Sequence, residues 1–209
     1  MNKQEIALKA VNTLKNQYPD AICSLMYSTP FELLVATRLS AQCTDARVNM
    51  VTPALFERFN GVEALASADV DEVGEYIKSC GLYKTKAKDI IAMCRMLRDE
   101  FNCTVPDTIE ALTRLPGVGR KTANLICGDL YGKPAYVCDT HVIRLTNKIG
   151  LAEGKDAYQV EKQLVKIVPP EESLNFCHRL VWHGRLVCNA RKPDCEHCCI
   201  SDICKSKNK

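Results

Sequence analysis

The chain has 209 residues, of which 46% are apolar and 25% are charged, and this is enough for one domain or two small lobes with a real core. Its net charge of +3 excludes a uniformly basic surface, so any affinity for nucleic acid requires a local patch. No run of about 18 apolar residues is present to span a membrane, and the N-terminal segment lacks an apolar signal core. We therefore expect a protein of the cytoplasm.

Helix signals begin with the N-terminal segment, which has mixed charge and helical periodicity. Thr29, Pro30 and Glu32 combine a capping box with a proline at the first helical position. Asp69 marks another helix start, and Gly81 marks the expected end of that helix. Six apolar residues at helical spacing then predict the buried stripe of a further helix: Ala87, Ile90, Ile91, Cys94, Leu97 and Phe101.

The second half of the chain continues the helical pattern. A short helix stops at Pro116, and a later helix begins with Asp139 or Thr140 as its N-cap. Pro170, followed by two glutamates, begins the last helix. No segment alternates polar and apolar residues with the period of a strand. The sequence therefore predicts an all-α protein of about ten helices.

The segment LPGVGRKT, residues 115–122, joins two predicted helices by a short turn. Pro116 stops the first helix, and Gly117 and Gly119 permit a tight turn whose backbone comes close to a ligand. The amides of such a turn and of the following helix N-terminus bind anions. The pattern is not that of a nucleotide-binding P-loop, because one residue separates Gly119 from Lys121. On spacing alone, a helical hairpin without any ligand also remains open.

Five of the 13 cysteines crowd together near the end of the chain. Four closely spaced thiolates are typical of a metal site that holds a loop closed, and spacing alone leaves zinc, an iron–sulfur cluster and free thiols open. Cys199 and His197 are alternative ligands. The other eight cysteines lie among apolar positions and are expected to be small buried hydrophobes. The four thiols at C-x6-C-x2-C-x5-C spacing are Cys188, Cys195, Cys198 and Cys204.

The hairpin segment resembles the helix–hairpin–helix motif, Leu-x-Gly-apolar-Gly-x-x-Thr-Ala, which holds DNA backbone phosphates. With VCDTHVIRL, which places Asp139 at a helix start, it is similar to the DNA glycosylase superfamily built on that hairpin. Lys121 matches the lysine of members that are both glycosylase and lyase. The segments RLSAQCTD and CGLYKTKAKDI and the cysteine spacing extend the resemblance to the endonuclease III family.

This resemblance implies two helical lobes with a DNA-binding cleft between them. Residues 24–133 form a six-helix lobe that carries the hairpin, and residues 1–23 with 134–209 form the lobe that carries a [4Fe–4S] cluster. The four cysteines would hold the cluster, with Cys199 a bystander, and their loop would present basic residues to phosphates. Lys205, Lys207 and Lys209 extend this basic tail.

The resemblance also implies base excision repair, in which the protein removes oxidised pyrimidines from double-stranded DNA and cleaves abasic sites by β-elimination. Lys121 would form the Schiff base, and Asp139 would stabilise positive charge on the sugar. We expect a monomer associated with the nucleoid. The implied DNA contacts are Gln42, Leu82, Leu115, Gly117, Val118, Gly119, Arg120, Thr122, Arg191 and Lys192.

Simpler explanations exist for individual residues. Leu82 can be a core leucine, and Gln42 can be a solvated helix residue. Lys121 can be a phosphate contact without a catalytic role, and Asp139 can be a helix N-cap without one.

Three other functions compete with this interpretation. An adenine-specific glycosylase requires an acid on the early helix, which LLVATRLSAQ does not offer. A non-catalytic DNA-binding module needs the hairpin alone, and an electron-transfer protein needs only the cysteine loop.

Overall fold

A computed structural model describes residues 1–207, which are helical without a strand. The predicted all-α class of about ten helices is confirmed. None of the helices in this range combines the length and apolar character needed to cross a bilayer. Lys209, at the end of the predicted basic tail, lies outside the described residues. The α-helices are α1 Lys3–Gln17, α2 Pro30–Leu39, α3 Asp45–Arg58, α4 Val62–Ala66, α5 Val70–Ile77, α6 Tyr83–Phe101, α7 Ile109–Leu112, α8 Arg120–Tyr131, α9 Thr140–Ile149, α10 Ala157–Leu164 and α11 Ser173–Leu186, and 3₁₀ turns form Lys78–Cys80 and Pro170–Glu172.

The chain divides into two compact units, of which the central unit is Cys23–Tyr131. It contains the seven α-helices α2 to α8, and the six-helix lobe expected for residues 24–133 stays a prediction. Helix α6 packs against α4, α5 and α2, and α2 packs against α8. The predicted apolar stripe of α6 is buried except for Phe101, which packs at the edge of the core. This core fixes the positions of the loops before α3, before α6 and before α8.

The terminal unit joins Met1–Ile22 to the chain from Gly132 onward. Helix α11 packs against both α9 and α1, so the first helix of the chain is part of the same core as the last. Lys15 on α1 forms an ion pair with Glu172, and Lys9 forms one with Asp202. The functional assignment of the two predicted lobes stays a prediction.

The helix starts follow the sequence signals closely, with one difference. Thr29 caps α2 by accepting a hydrogen bond from the Glu32 amide, as predicted. The Glu32 carboxylate, however, accepts from the amide of Ser28 at 2.6 Å, one residue earlier than a capping box requires. Asp69 caps α5, and of the two candidates for α9 the N-cap is Asp139.

Helix α5 ends earlier than its sequence pattern suggests. The α-helical part stops at Ile77, and a 3₁₀ turn carries the chain on to Gly81, which has a positive φ of 67°. Helix α11 likewise begins after a 3₁₀ turn at Pro170, three residues later than the predicted start, and ends at Leu186. Such 3₁₀ turns are common at helix ends, where i→i+3 bonds satisfy otherwise unpaired groups.

Candidate functional site

The hairpin between α7 and α8 is a tight turn stabilised by its own backbone. The amide of Leu115 bonds to the carbonyl of Leu112 at 3.1 Å, and the amide of Val118 bonds to the carbonyl of Leu115 at the same distance. The side chains of Leu115 and Val118 are buried in the core of the central unit. Their contribution at the surface of the turn is therefore limited to backbone groups, whereas Gly117 and Gly119 are exposed.

The two glycines of this turn are required for different reasons. Gly117 has a φ of 75°, and a Cβ built there would lie 2.6 Å from Nε of Arg38. Arg38 cannot withdraw easily, because its Nη2 and Nε bond to the carboxylate of Asp89 at 2.5 and 3.0 Å. A Cβ at Gly119 would meet nothing within 4 Å. The fold thus requires glycine at 117, while position 119 is open toward an approaching ligand.

Lys121 is the second residue of α8 and its side chain is exposed. Arg120 before it is also exposed, and Thr122 after it is half-buried. The first amides of an α-helix have no partner within the helix, and the positive end of the helix dipole lies there. The start of α8 therefore presents an amine and a guanidinium next to a backbone anion site.

Asp139 is the N-cap of α9 in the terminal unit. Its Oδ1 accepts hydrogen bonds from the amides of His141 and Val142, both at 2.8 Å. Its Oδ2 lies 3.2 Å from Nδ1 of His141, and the carboxylate side chain is 23% exposed. The structural role as a cap is therefore present. The other carboxylate oxygen faces a partly exposed imidazole and remains close to solvent.

Gln42 and Leu82 share an unusual backbone conformation in the central unit. Their φ angles are 54° and 47°, in the left-handed region that residues with a Cβ avoid. Leu82 is 61% exposed, so it is not a core leucine, and Gln42 is exposed as well. Such outliers cost of order 1–3 kcal/mol and concentrate at functional sites.

A buried lysine that the sequence reading did not single out connects the loops carrying these two residues. Lys86 is fully buried, and its ammonium donates to the carbonyls of Leu39 and Cys80, both at 2.8 Å. Burial lowers the pKa of Lys86. The sequence signal that could have indicated its burial is the position of this lysine beside the apolar stripe of α6.

The terminal unit places four predicted metal-ligating thiols around one cavity. Cys199 is not among the residues lining it, and its pKa is raised by burial. Within residues 1–207, no three histidine, cysteine or acidic side chains approach closely enough to hold a single metal ion. The cavity is lined by Cys188, Cys195, Cys198 and Cys204, together with Lys148, Pro193, Asp194, Ser201, Ser206 and Lys207.

Two histidines border this cysteine loop in different ways. His183 is buried, and its Nδ1 forms a hydrogen bond of 2.9 Å with the Tyr18 hydroxyl. Its Nε2 lies 3.3 Å from the Cys198 sulfur. Burial lowers the pKa of His183 to about 4. His197 is exposed and pairs with Asp194 at 2.9 Å. His183 therefore supports a cavity thiol, although only His197 was considered from the sequence.

Arg144 of α9 was also missed and fixes the start of the cysteine loop. Its Nη1 donates to the carbonyl of Cys188 at 2.6 Å, and its Nη2 donates to that of Gly184 at 3.3 Å. The following residues Arg191 and Lys192 are exposed, as a phosphate-facing role requires. An arginine on the amphipathic α9 gives no sequence signal for this bond, because its partners are backbone carbonyls more than 35 residues away.

Comparison with known proteins agrees with these features. Residues 35–170 match the family described as HhH-GPD superfamily base excision DNA repair protein. Endonuclease III of Synechocystis sp. is 47% identical over 98% of this chain and 94% of its own length. The chain belongs to the endonuclease III family. A non-covalent endonuclease III–DNA complex superposes with a TM-score of 0.94 at 40% identity, covering 99% of this chain and 97% of that one.

The same scores are found for a structure of a trapped endonuclease III–DNA covalent intermediate. Family membership confirms the predicted fold and the predicted class, a DNA glycosylase and abasic-site lyase of base excision repair. It does not by itself assign a role to any residue of this chain. Those roles rest on the geometry of the hairpin, of Asp139 and of the cysteine cavity.

Proposed function

We propose that this protein removes oxidised pyrimidines from double-stranded DNA and then cleaves the strand through a Schiff base on Lys121. The observation that carries the proposal is the position of Lys121, exposed on the first turn of α8 directly after the glycine turn. A turn that binds a phosphate through its amides holds the adjoining nucleotide close to that amine. A lysine so placed serves as a nucleophile for the sugar.

DNA is held by contacts that do not depend on sequence. Backbone amides of Gly117 and Gly119 bind a phosphate, whereas the amide of Val118 is already bonded to the carbonyl of Leu115. Arg120 and Thr122 extend this contact. Leu115 and Val118 shape the turn from beneath, because their side chains are buried. Arg191 and Lys192, exposed on the cysteine loop, supply further positive charge.

A damaged base is reached only after it leaves the helix, at a cost of a few kcal/mol. Leu82 acts as the apolar wedge that fills the resulting gap, and Gln42 contacts the base left without a partner. Both side chains are exposed on residues with left-handed backbone, so the loops direct them away from the core. The strain in both loops is stored in the folded protein before DNA binds.

The chemistry begins when the neutral amine of Lys121 attacks C1′ of the sugar and the damaged base departs with the bonding electrons. Loss of a proton and opening of the ring give the Schiff base, and removal of a C2′ proton expels the 3′ phosphate by β-elimination. Asp139 stabilises the positive charge that develops on the sugar as the base leaves. Its outer oxygen is available for this, since the cap uses only Oδ1.

We assign the cavity of Cys188, Cys195, Cys198 and Cys204 to a [4Fe–4S] cluster. The four thiols fit because they line one cavity whose flanking loop is fixed by Arg144, while Cys199 lies off it. When bound, the cluster would cross-link the loop that carries Arg191 and Lys192. It takes no part in the reaction at the sugar.

Borohydride trapping on an abasic oligonucleotide tests the proposal, because only a Schiff base is reduced to a stable secondary amine. Wild-type protein should become covalently attached, and Lys121→Gln should not, while its affinity for the same DNA stays within about tenfold. Lys133→Gln, a change of a lysine outside the hairpin, serves as the control. Trapping by Lys121→Gln would place the nucleophile elsewhere, and a wild type that binds without trapping would be a non-catalytic module.

A further inference from the structure

Two cysteines meet beneath the loops that carry Gln42 and Leu82. Cys43 follows Gln42, Cys80 lies two residues before Leu82, and the two thiols share a hydrogen bond. Cys80 is 1% exposed, whereas Cys43 is half-buried and packs against the same core. The 3₁₀ turn that ends at Cys80 packs on α3, which begins two residues after Cys43.

The surroundings of this thiol pair hold it in place and supply positive charge. The buried ammonium of Lys86 bonds to the carbonyl of Cys80 on one side and to that of Leu39, four residues before Cys43, on the other. Burial raises the pKa of the Cys80 thiol to about 11, and its bond with Cys43 adds to this, while Lys86 and Arg47 act in the opposite direction. Cys80 is thus protected, and Cys43 is the thiol that a small oxidant reaches first.

We propose that Cys43 and Cys80 form a redox-sensitive site at which a hydroperoxide produces a reversible disulfide between the two loops. Cys43 loses its proton, and its sulfur attacks one peroxide oxygen as the O–O bond breaks, which gives a sulfenic acid. With hydrogen peroxide, the departing hydroxide takes up the Cys43 proton and leaves as water. The Cys80 sulfur then attacks the Cys43 sulfur, and the sulfenic hydroxyl leaves as a second water with the Cys80 proton. In total the two thiols lose two electrons, and these reduce one peroxide molecule.

Forming this bond must draw the two sulfur atoms together. Sulfur atoms in hydrogen-bond contact lie well beyond the disulfide length of about 2.05 Å, so the bond cross-links the two loops in a geometry that the reduced protein does not have. Gln42 and Leu82 sit beside the cross-linked residues in a left-handed conformation that the surrounding packing imposes. The effect on DNA rests on the proposed function, in which these two side chains enter the gap in the helix.

Peptide mapping of the full-length protein tests the site itself. After hydrogen peroxide treatment and alkylation of remaining thiols, trypsin should release LSAQCTDAR joined to SCGLYK, which contain Cys43 and Cys80 as their only cysteines. Dithiothreitol should separate them again. Cys138 and Cys177, also neighbours but both buried, should stay reduced. Recovery of the two peptides unlinked, or with Cys43 irreversibly oxidised, would overturn the proposal.

A rate measurement tests the consequence for DNA. Cleavage of abasic DNA by the oxidised protein should show kcat/KM lower by about tenfold, since a displacement of about 1 Å in a positioning group is costly. Cys43→Ser treated with the same peroxide should keep its rate, which controls for damage at other cysteines. A full cross-link without a change in rate would overturn the coupling to DNA. Failure of the proposed function would appear separately, as absent borohydride trapping by the reduced protein.

Discussion

Asp139 and His141 are joined at the start of α9 by both oxygens of one carboxylate. Oδ1 of Asp139 accepts a hydrogen bond from the backbone amide of His141 at 2.8 Å, and Oδ2 lies 3.2 Å from Nδ1 of His141. One oxygen thus accepts from the backbone, while the other faces a partly exposed side chain and can still act on a ligand. The cap and the proposed catalytic charge can therefore be separated by a substitution that keeps the oxygen and removes the charge.

Asp139→Asn should leave the fold intact and slow base removal. Asparagine caps helices about as well as aspartate, so we expect the free energy of unfolding to change by less than about 1 kcal/mol. Excision of a damaged pyrimidine should slow by about 10²- to 10³-fold, because the sugar cation loses its stabilising charge. Cleavage of preformed abasic sites should suffer less, since the base has already departed.

The control for this prediction is Asp156→Asn, the same change at the N-cap of α10, where the side chain also accepts from a backbone amide. Single-turnover excision by this variant should match that of the wild type. Equal slowing in both variants would mean that Asp139 acts only through helix stability.

Gly117→Ala should mainly lower the stability of the fold, whereas Gly119→Ala should mainly weaken DNA binding. At Gly117 the positive φ costs about 1–2 kcal/mol and the new Cβ also collides with Arg38, so the total loss should reach about 2–4 kcal/mol. Gly119→Ala should lower the free energy of unfolding by less than about 1 kcal/mol. Its affinity for abasic DNA should nevertheless fall about tenfold, because the added methyl group would prevent about one hydrogen bond between the turn amides and the phosphate.

Urea unfolding and fluorescence anisotropy with labelled abasic DNA measure the two effects. If Gly119→Ala bound as well as the wild type, the phosphate would not approach the turn at that residue. A stable Gly117→Ala would show that Arg38 and Asp89 can rearrange.

Cys195→Ser and Cys199→Ser should differ in iron content. Cys195 lines the thiol cavity and Cys199 does not, although the two lie only four residues apart. Purified wild type should be yellow-brown with about four irons per chain. Cys199→Ser should keep this content, and Cys195→Ser should lose it. Elemental analysis that found one zinc and no iron in the wild type would refute the cluster assignment.

Glu172→Gln should destabilise the protein at neutral pH and less so in acid. Burial alone would raise the pKa of Glu172, but hydrogen bonds from Lys15 and Arg179 outweigh it and the pKa lies below its ordinary 4.5. A depressed folded pKa contributes stability above the unfolded value, and this contribution is lost as pH falls through the folded pKa. Removing the charge should cost about 1–3 kcal/mol near pH 7.

Denaturant unfolding of both proteins from neutral pH down to acid should therefore show the two stabilities converging below pH 4.5. Glu171→Gln, at the exposed neighbouring residue, should behave as the wild type throughout. A difference between Glu172→Gln and the wild type that stayed constant with pH would mean that the ion pairs contribute nothing to it.

The features that local chemistry determines were predictable from the sequence. Caps at Thr29, Asp69 and Asp139 and the glycine turn after Pro116 follow from short patterns, so their helix starts were located correctly. The features that distant contacts determine were not. The burial of Lys86, for example, depends on a hydrogen bond to the carbonyl of Leu39, 47 residues away.

The same limit applies to the backbone of the candidate site. Nothing in the sequence around Leu82 or Gln42 signals a positive φ, because neither residue is a glycine or an asparagine. The two glycines of the turn look equivalent in the sequence, yet only Gly117 meets Arg38. Tertiary packing imposes both distinctions after the local elements have formed.

The two units also differ in when they can be completed during synthesis. The central unit is one continuous segment, Cys23–Tyr131, so all of it has been synthesised before the last third of the chain is made. Helix α1 packs on α11, which begins at Ser173. At about 5–20 residues per second, α1 waits roughly 8–30 s for its partner. The nascent protein therefore carries a finished hairpin core beside an uncovered amphipathic helix, and during that interval α1 is a natural target for chaperones.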